Sequence, residues 1–157
     1  MILIAYDGSA DAQAAIERTG RLLSGQPVTV LTVWERFVEV LTRAGAGMPL
    51  GALDYEALDR SSEEQARQRA DEGARLAEQA GLKAQAHVRA RVTSLADCIL
   101  AEADDLDADA IVMGTRGLTG VKSFLLGSVS NAVVQHSNRP VIVVPSAEVA
   151  AERVARR

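Results

Sequence analysis

Short apolar runs alternate with stretches of helical periodicity along this chain, and the alternation restricts the folds available to it. The predicted strands cover residues 1–6, 28–34, 84–92, 108–114 and 139–145. Strands that alternate with helices favour parallel pairing through right-handed crossovers. We therefore expect an α/β fold, with a three-layer open sheet of five parallel strands and helices on both faces.

Four helices are predicted between these strands. The first follows Ser9, a suitable N-cap, and ends before Gly25. The second begins at Ser61 or Ser62, which each start a capping-box pattern, and ends at Gly81. The remaining two cover residues 94–106 and about 121–136. The helix and strand ends fix where the connecting turns lie.

Two segments have weaker signals. Residues 36–60 contain three glycines and a proline and show little periodicity, so we predict a mobile loop with one short helical piece. Residues 146–157 have helical propensity and end in arginines, which predicts a solvated, frayed helix. We therefore expect one domain at residues 1–145 and a C-terminal tail at 146–157.

Charge and composition disfavour several classes of protein. The chain of 157 residues has 17 Lys and Arg against 21 Asp and Glu, a formal net charge of −4, whereas nucleic-acid-binding domains usually present a basic face. No segment has the ~20 continuous apolar residues of a membrane span, and the N-terminus lacks the pattern of a signal peptide. The single cysteine, Cys98, cannot form an internal disulfide. We predict a cytoplasmic protein that binds neither nucleic acid nor membrane.

The stretch "GTRGLTGVKSFLLGS", residues 114–128, follows the fourth predicted strand. It is not a P-loop, because Val121 stands where the second glycine of that motif belongs. The dinucleotide fingerprint G-x-G-x-x-G is absent after the first strand. What remains is Gly114, Gly117 and, after nine further residues, the pair Gly127-Ser128.

These residue types suit an anion site at the carboxyl end of a strand. Gly117 can take a positive φ and present its N–H, and such amides form anion-binding concavities. Gly127 lets the backbone approach a ligand closely, and Ser128 adds a hydroxyl donor. A helix that starts near Gly127 would add its unpaired N–H groups. The alternative interpretation is that these glycines only form turns and bind no anion.

Segments along essentially the whole chain resemble the universal stress protein family. They are "IAYDGS" at 4–9, "VLTVW" at 30–34, "DAIVMGTRGLTGVKSFLLGSVSNAVVQHS" at 109–137 and "RPVIVVP" at 139–145. The ATP-binding branch of that family has the motif G-2x-G-9x-G-[ST], which is complete here. The resemblance implies the strand order 3-2-1-4-5, a Rossmann-like fold similar to the adenine nucleotide alpha hydrolases, and binding of ATP, to which Mg²⁺ could be bound.

The resemblance also implies a set of nucleotide-contacting residues. They are Ala5, Asp7, Val33, Met113, Gly114, Arg116, Gly117, Gly127, Ser128 and Ser130. Ala5 would line the floor, and Val33 and Met113 would form the walls of an adenine pocket. The bulky Trp34 would stack near the base or pack under the following loop.

The ribose and phosphate roles come from the same resemblance. Asp7 would lie near the base and ribose, or cap the following helix, and Gly114 would lie under the ribose. The phosphates would bind at Gly117, Gly127 and Ser128, with Ser130 as a weaker neighbour. Arg116 would reach a phosphate or point to solvent.

The expected function is that of an ATP-binding regulatory module of the stress response. A slow ATPase or nucleotide transferase and a dimerisation scaffold without nucleotide are the alternatives. Phosphoryl transfer needs a residue that orients the nucleophile and ligands for a metal, and the sequence shows no carboxylate near the phosphate stretch, so we assign no catalytic or metal-binding residue. The resemblance and the apolar edge strand at 141–144 predict a homodimer.

Overall fold

The computed structural model describes residues 1–45, 54–117 and 126–155. Helices and strands follow one another as β1 (Ile2–Ala5), α1 (Ala10–Leu22), β2 (Pro27–Trp34), α2 (Phe37–Arg43), α3 (Tyr55–Gln79), β3 (Lys83–Ala90), α4 (Leu95–Asp105), β4 (Ala110–Gly114), α5 (Ser128–His136), β5 (Val141–Val144) and α6 (Ala147–Ala155). None of the described helices is both long and apolar enough to cross a membrane.

The strands form one sheet in the order β3-β2-β1-β4-β5, and every pairing is parallel. The predicted fold class and strand order are therefore confirmed. Ile4 of β1 pairs with Val30 of β2 on one side and with Val112 of β4 on the other. Strand order reverses at β1, and in open α/β sheets ligands bind at the carboxyl edge of such a position.

Two aliphatic clusters cover the two faces of the sheet. Ile4 packs with Ile16 of α1 on the first face, whereas Leu3 packs with Ile99 of α4 on the second. Leu3 and Ile4 are both 0% exposed, because successive side chains of a strand point to opposite faces and both faces carry helices. This two-sided burial fixes the register of β1.

The start of α3 differs from the sequence prediction. Asp54 is its N-cap and accepts a hydrogen bond from the N–H of Ala57 at 2.9 Å, so Ser61 and Ser62 lie inside the helix. Aspartate caps a helix as well as serine does, and the earlier cap adds two turns. The predicted end is confirmed, since Gly81 follows α3 with a φ of +87°.

Three further predictions concern the other helices. Ser9 is confirmed as the N-cap of α1, and α2 is the short helical piece expected within residues 36–60. Residues 46–53 lie outside the described part of the chain. The sequence predicted a helix from about residue 121 to residue 136. Residues 126–127 are not helical, so the prediction is wrong for these two residues. Residues 118–125 lie outside the described part of the chain.

The C-terminal tail is a docked helix and not the frayed, solvated helix that its composition predicted. Ser146 caps α6 by accepting the N–H of Val149 at 3.3 Å, and the Val149 side chain is 3% exposed. The buried Val149 side chain and the ion pair between Glu152 and Arg116 therefore hold α6 beside the turn that follows β4.

Candidate functional site

The turns that follow β1 and β4 meet at the carboxyl edge of the sheet. Ser9 lies in the first turn, and its hydroxyl donates to the carbonyl of Arg116 in the second, with an O–O distance of 3.4 Å. A Cβ placed on Gly117 would lie 2.6 Å from Oδ2 of Asp7. The segments "DGS" and "GTRG" therefore flank one crevice, as the sequence predicted.

Asp7 lies at the glycine turn itself. Its Oδ1 accepts the N–H of Ser9 at 2.9 Å, and its Oδ2 occupies the space beside Gly117. The prediction that no carboxylate lies near the glycine stretch is therefore wrong. Parallel pairing of β1 with β4 brings together residues that are far apart in the sequence.

The two glycines of the first half of the motif are required for close approach. Gly117 does not use the positive φ that is available to a glycine. A Cβ on Gly114 would lie 2.7 Å from Cβ of Asp11 and 2.9 Å from the backbone nitrogen of Ala12. Gly114 thus lets the first turn of α1 pack against the end of β4, and Gly117 leaves room for the Asp7 carboxylate.

The second half of the motif packs directly against the first. The N–H of Gly127 donates to the carbonyl of Thr115 at 2.7 Å, and a Cβ on Gly127 would lie 3.1 Å from that oxygen. The buried hydroxyl of Ser130 lies 3.0 Å from the carbonyl oxygens of both Thr115 and Gly127. Ser128, the first residue of α5, is exposed, and the N-cap residue Gly127 has no side chain to cap the helix. A helix start of this kind can donate N–H groups to an anion.

Asp11 is a functional candidate that sequence reasoning missed. Its side chain is buried, and its Oδ2 accepts both the hydroxyl proton of Thr115 and the N–H of Arg116, the latter at 3.0 Å. Its Oδ1 accepts the N–H of Ser146 at 3.2 Å. From the sequence alone, Asp11 is only an acidic residue in the first turn of a predicted helix. No local pattern indicates the residues, distant in the sequence, with which it forms hydrogen bonds.

Hydrogen bonding sets the charge state of Asp11. Burial raises the pKa of this carboxyl, but hydrogen bonds from Thr115, Ser146 and Arg116 favour the anion and outweigh burial. The net pKa lies below the ordinary value of 3.8. Asp11 is therefore an anion at neutral pH, and its hydrogen-bond donors come from the turn and from the start of α6.

Arg116 lies against α6. Its guanidinium is 3.4 Å from the carboxylate of Glu152, and its side chain is 15% exposed. Of the two alternatives left open by the sequence, the solvent-directed one is therefore wrong. A contact with an anion in the crevice would compete with Glu152.

The residues predicted to surround a base share one face of the sheet. Ala5, Val33 and Met113 belong to the cluster covered by α4 and α5, and they lie near the carboxyl ends of three neighbouring strands. Met113 is 5% exposed, whereas Ala5 and Val33 are half-buried. Trp34 ends β2 and is also half-buried. An apolar surface therefore adjoins the polar turn.

Together the sheet and its turns define a doubly wound α/β protein in which the turns after β1 and β4 meet at the switch point of strand order. The family model described as "Universal stress protein family" matches residues 1–145. The chain belongs to the universal stress protein family.

Individual relatives agree with this assignment. The chain is 52% identical over 46 residues to the putative universal stress protein SSP1056 of Staphylococcus saprophyticus, a match that covers 29% of this chain and 28% of that relative. The chain thus matches less than a third of this relative's length. Larger coverage comes from solved structures.

Two solved structures extend the likeness over the whole fold. The structure of MJ0577 from Methanocaldococcus jannaschii has a TM-score of 0.73 and 27% identity, with 92% of this chain and 94% of that chain covered. The universal stress protein from Archaeoglobus fulgidus, solved in complex with dAMP, has a TM-score of 0.59 and 23% identity, with 91% and 95% covered.

Proposed function

We propose that this protein binds ATP in the crevice between β1 and β4 and acts as a nucleotide-dependent regulatory module of the stress response. The observation that carries the proposal is the contact between the two halves of the glycine motif. The 2.7 Å hydrogen bond from Gly127 to Thr115 places the start of α5 beside the turn after β4. The first turn of α5 and the turn after β4 therefore lie side by side.

The residues at the crevice fit a phosphate chain. Gly117 and Gly127 lack the side chains that would crowd the Asp7 carboxylate and the Thr115 carbonyl, and the N-cap of α5 is a glycine without a side chain. Ser128 would donate its N–H and hydroxyl, whereas the buried Ser130 would keep Gly127 against the turn. Mg²⁺ bound with ATP would neutralise part of the phosphate charge.

The apolar surface beside the turn fits the base. Ala5 would form the floor and Val33 and Met113 the walls of the adenine pocket, with Gly114 under the ribose and Asp7 within reach of a hydroxyl or amino group. The dAMP complex of the Archaeoglobus fulgidus protein supports an adenine nucleotide as the class of ligand. Because dAMP has fewer phosphates than ATP, the experiment compares AMP, ADP and ATP.

The proposal includes a homodimer and a cytoplasmic location. β5 is an edge strand, and its residues Val141, Ile142 and Val143 are half-buried in the single chain. An apolar edge of this kind is suited to pairing with a second copy.

The test is identification of the bound molecule followed by calorimetry. The purified protein is denatured and the released small molecules are identified by mass spectrometry, and ATP, ADP and AMP are then titrated into the emptied protein. Gly127→Val should weaken ATP binding at least about tenfold, because its Cβ enters the contact with Thr115. Asn131→Val, at an exposed position of the same helix, is the matched control and should bind like the parent.

The outcomes separate the candidate functions. ATP recovered without accumulation of ADP supports the regulatory module. Steady phosphate release that Gly127→Val abolishes would favour a slow ATPase, with the Asp7 carboxylate as the group to examine. Absence of bound nucleotide, together with no heat signal from any of the three, would leave a dimerisation scaffold.

A further inference from the structure

We propose that Asp11 is a positioning residue of the nucleotide site, which holds the turn of Thr115 and Arg116 in the conformation that receives phosphate. The inference rests on the proposed function. It assigns a role in nucleotide affinity to a side chain that does not itself face the phosphates.

Both oxygens of the carboxylate are used, and they connect three elements. Oδ2 accepts the Thr115 hydroxyl and the N–H of Arg116, and Oδ1 accepts the N–H of Ser146. Asp11 belongs to α1, the turn follows β4, and Ser146 precedes α6. A single buried anion thus fixes the peptide plane between Thr115 and Arg116.

The first glycine of the motif is explained by the same contact. A Cβ on Gly114 would meet Cβ and the carbonyl carbon of Asp11 at 2.7 and 2.8 Å. Without the glycine, the first turn of α1 could not approach closely enough for the carboxylate to reach the turn. Gly114 and Asp11 therefore act as one unit.

Asp11 cannot be a phosphate ligand, because a buried carboxylate and a phosphate repel each other. Its contribution is to pre-organise donors, which lowers the ordering cost paid on binding. The effect should consequently depend on the phosphates of the ligand and not on its base.

Asp11→Asn is the direct test. The amide has one oxygen and one NH₂ group, whereas both sides of the native carboxylate face N–H donors. One N–H, that of Arg116 or that of Ser146, must therefore lose its acceptor, and the side chain no longer connects the turn with the start of α6. We expect the Kd for ATP to rise about tenfold while the Kd for adenosine stays within about twofold of the parent value, since adenosine lacks phosphates.

Glu102→Gln is the matched control. Glu102 is a buried carboxylate that accepts from Arg89 at 2.6 Å and lies 3.1 Å from His87, both on β3, which β2 separates from β1 and β4. Both variants exchange a buried carboxylate for an amide and should lower the melting temperature. Only Asp11→Asn should change the ratio of ATP to adenosine affinity.

Thr115→Val is the second variant, in case Asp11→Asn does not fold. It removes one donor to Oδ2 and keeps the side-chain shape, and ATP should bind about threefold more weakly. Unchanged ATP affinity in a folded Asp11→Asn or Thr115→Val protein would overturn the proposal and leave the nucleotide site intact. A parent protein that binds no adenine nucleotide would instead refute the proposed function, and this inference with it.

Discussion

The three motif glycines make room for three different neighbours, and their effects on mutation should differ accordingly. A Cβ on Gly114 would meet helix backbone, one on Gly117 would meet the tip of a side chain, and one on Gly127 would meet a carbonyl oxygen. Backbone cannot yield without moving α1, whereas the Asp7 carboxylate can rotate. The same motif therefore combines one mainly structural glycine with two that lie at the proposed ligand site.

Gly114→Ala should destabilise the fold by about 2 kcal/mol, because the added methyl group overpacks against the first turn of α1. Gly117→Ala should cost less than about 1 kcal/mol, since among the described residues it displaces only the Asp7 carboxylate. Urea unfolding of both variants measures the difference. Equal midpoints for the two would show that the glycines do not have these separate roles.

Asp11 should make the stability of the protein depend on pH in the acid range. Its folded-state pKa lies below 3.8, so its stabilisation is present above the ordinary pKa and is lost as the pH falls through the lowered one. Above about pH 5 the free energy of unfolding of the parent should exceed that of Asp11→Asn by about 2 kcal/mol, which is the size of the contribution from hydrogen bonds to a charged group. Urea unfolding of both proteins at pH 6 and pH 3 tests this prediction. A difference in midpoint between parent and variant that is the same at both pH values would contradict it.

At the scale of elements, the strands were predictable from their residues and the strand order from the family resemblance, while two helix positions were not. Aliphatic runs such as 28–34 and 108–114 identify buried parallel strands without knowledge of their neighbours. The start of α3 depends on a choice between Asp54 and Ser61, which are comparable caps, and the longer helix lets Asp59 accept the N–H of Phe37 at 2.7 Å. The glycine motif was visible in the sequence for the same reason as the strands: its signal is local.

The docking of α6 was missed because its contacts are with distant residues. Ser146 donates to Asp11, and Glu152 pairs with Arg116, yet nothing adjacent in the sequence indicates either contact. An amphipathic C-terminal segment is equally typical of a solvated helix. Composition therefore predicted the helix but not the surface on which it packs.

The ion pair between α6 and the turn should compete with nucleotide for Arg116. Glu152→Gln removes the competing charge, and since a partly exposed pair contributes under about 1 kcal/mol, ATP should bind about two- to threefold more tightly. Glu148→Gln makes the same charge change at an exposed position in the first turn of α6 and is the control. Calorimetry that finds identical ATP affinity in both variants would show that Arg116 does not contact phosphate.

For the molecule as a whole, the position of β1 at the centre of the sheet determines both the site and the free edge. The reversal of strand order beside β1 opens the crevice, and the same order leaves β5 without a partner on its outer side. The ligand site and the proposed dimer edge are therefore connected through β4 and β5. Thr115 illustrates the link, since its N–H donates to the carbonyl of Val144 at 3.0 Å.

The proposed homodimer can be tested by a backbone change at this edge. The carbonyls of Pro140 and Val144 accept hydrogen bonds from β4, so the alternation of a strand places the backbone N–H of Val143 on the outer side. Proline there removes an outward donor and is tolerated on edge strands. Val143→Pro should therefore keep the fold but yield a monomer.

Val143→Ala is the matched control for this change. It keeps the N–H and loses much of the same side chain, which packs partly against the core cluster that contains Leu3 and Ile111. Light scattering after size-exclusion chromatography should give a dimer for the parent and for the alanine variant, and a monomer for the proline variant. Pairing at the edge needs the outward N–H and C=O groups, so a proline variant that stays dimeric would place the subunit contact on a different surface. A monomeric parent would remove the dimer from the proposal.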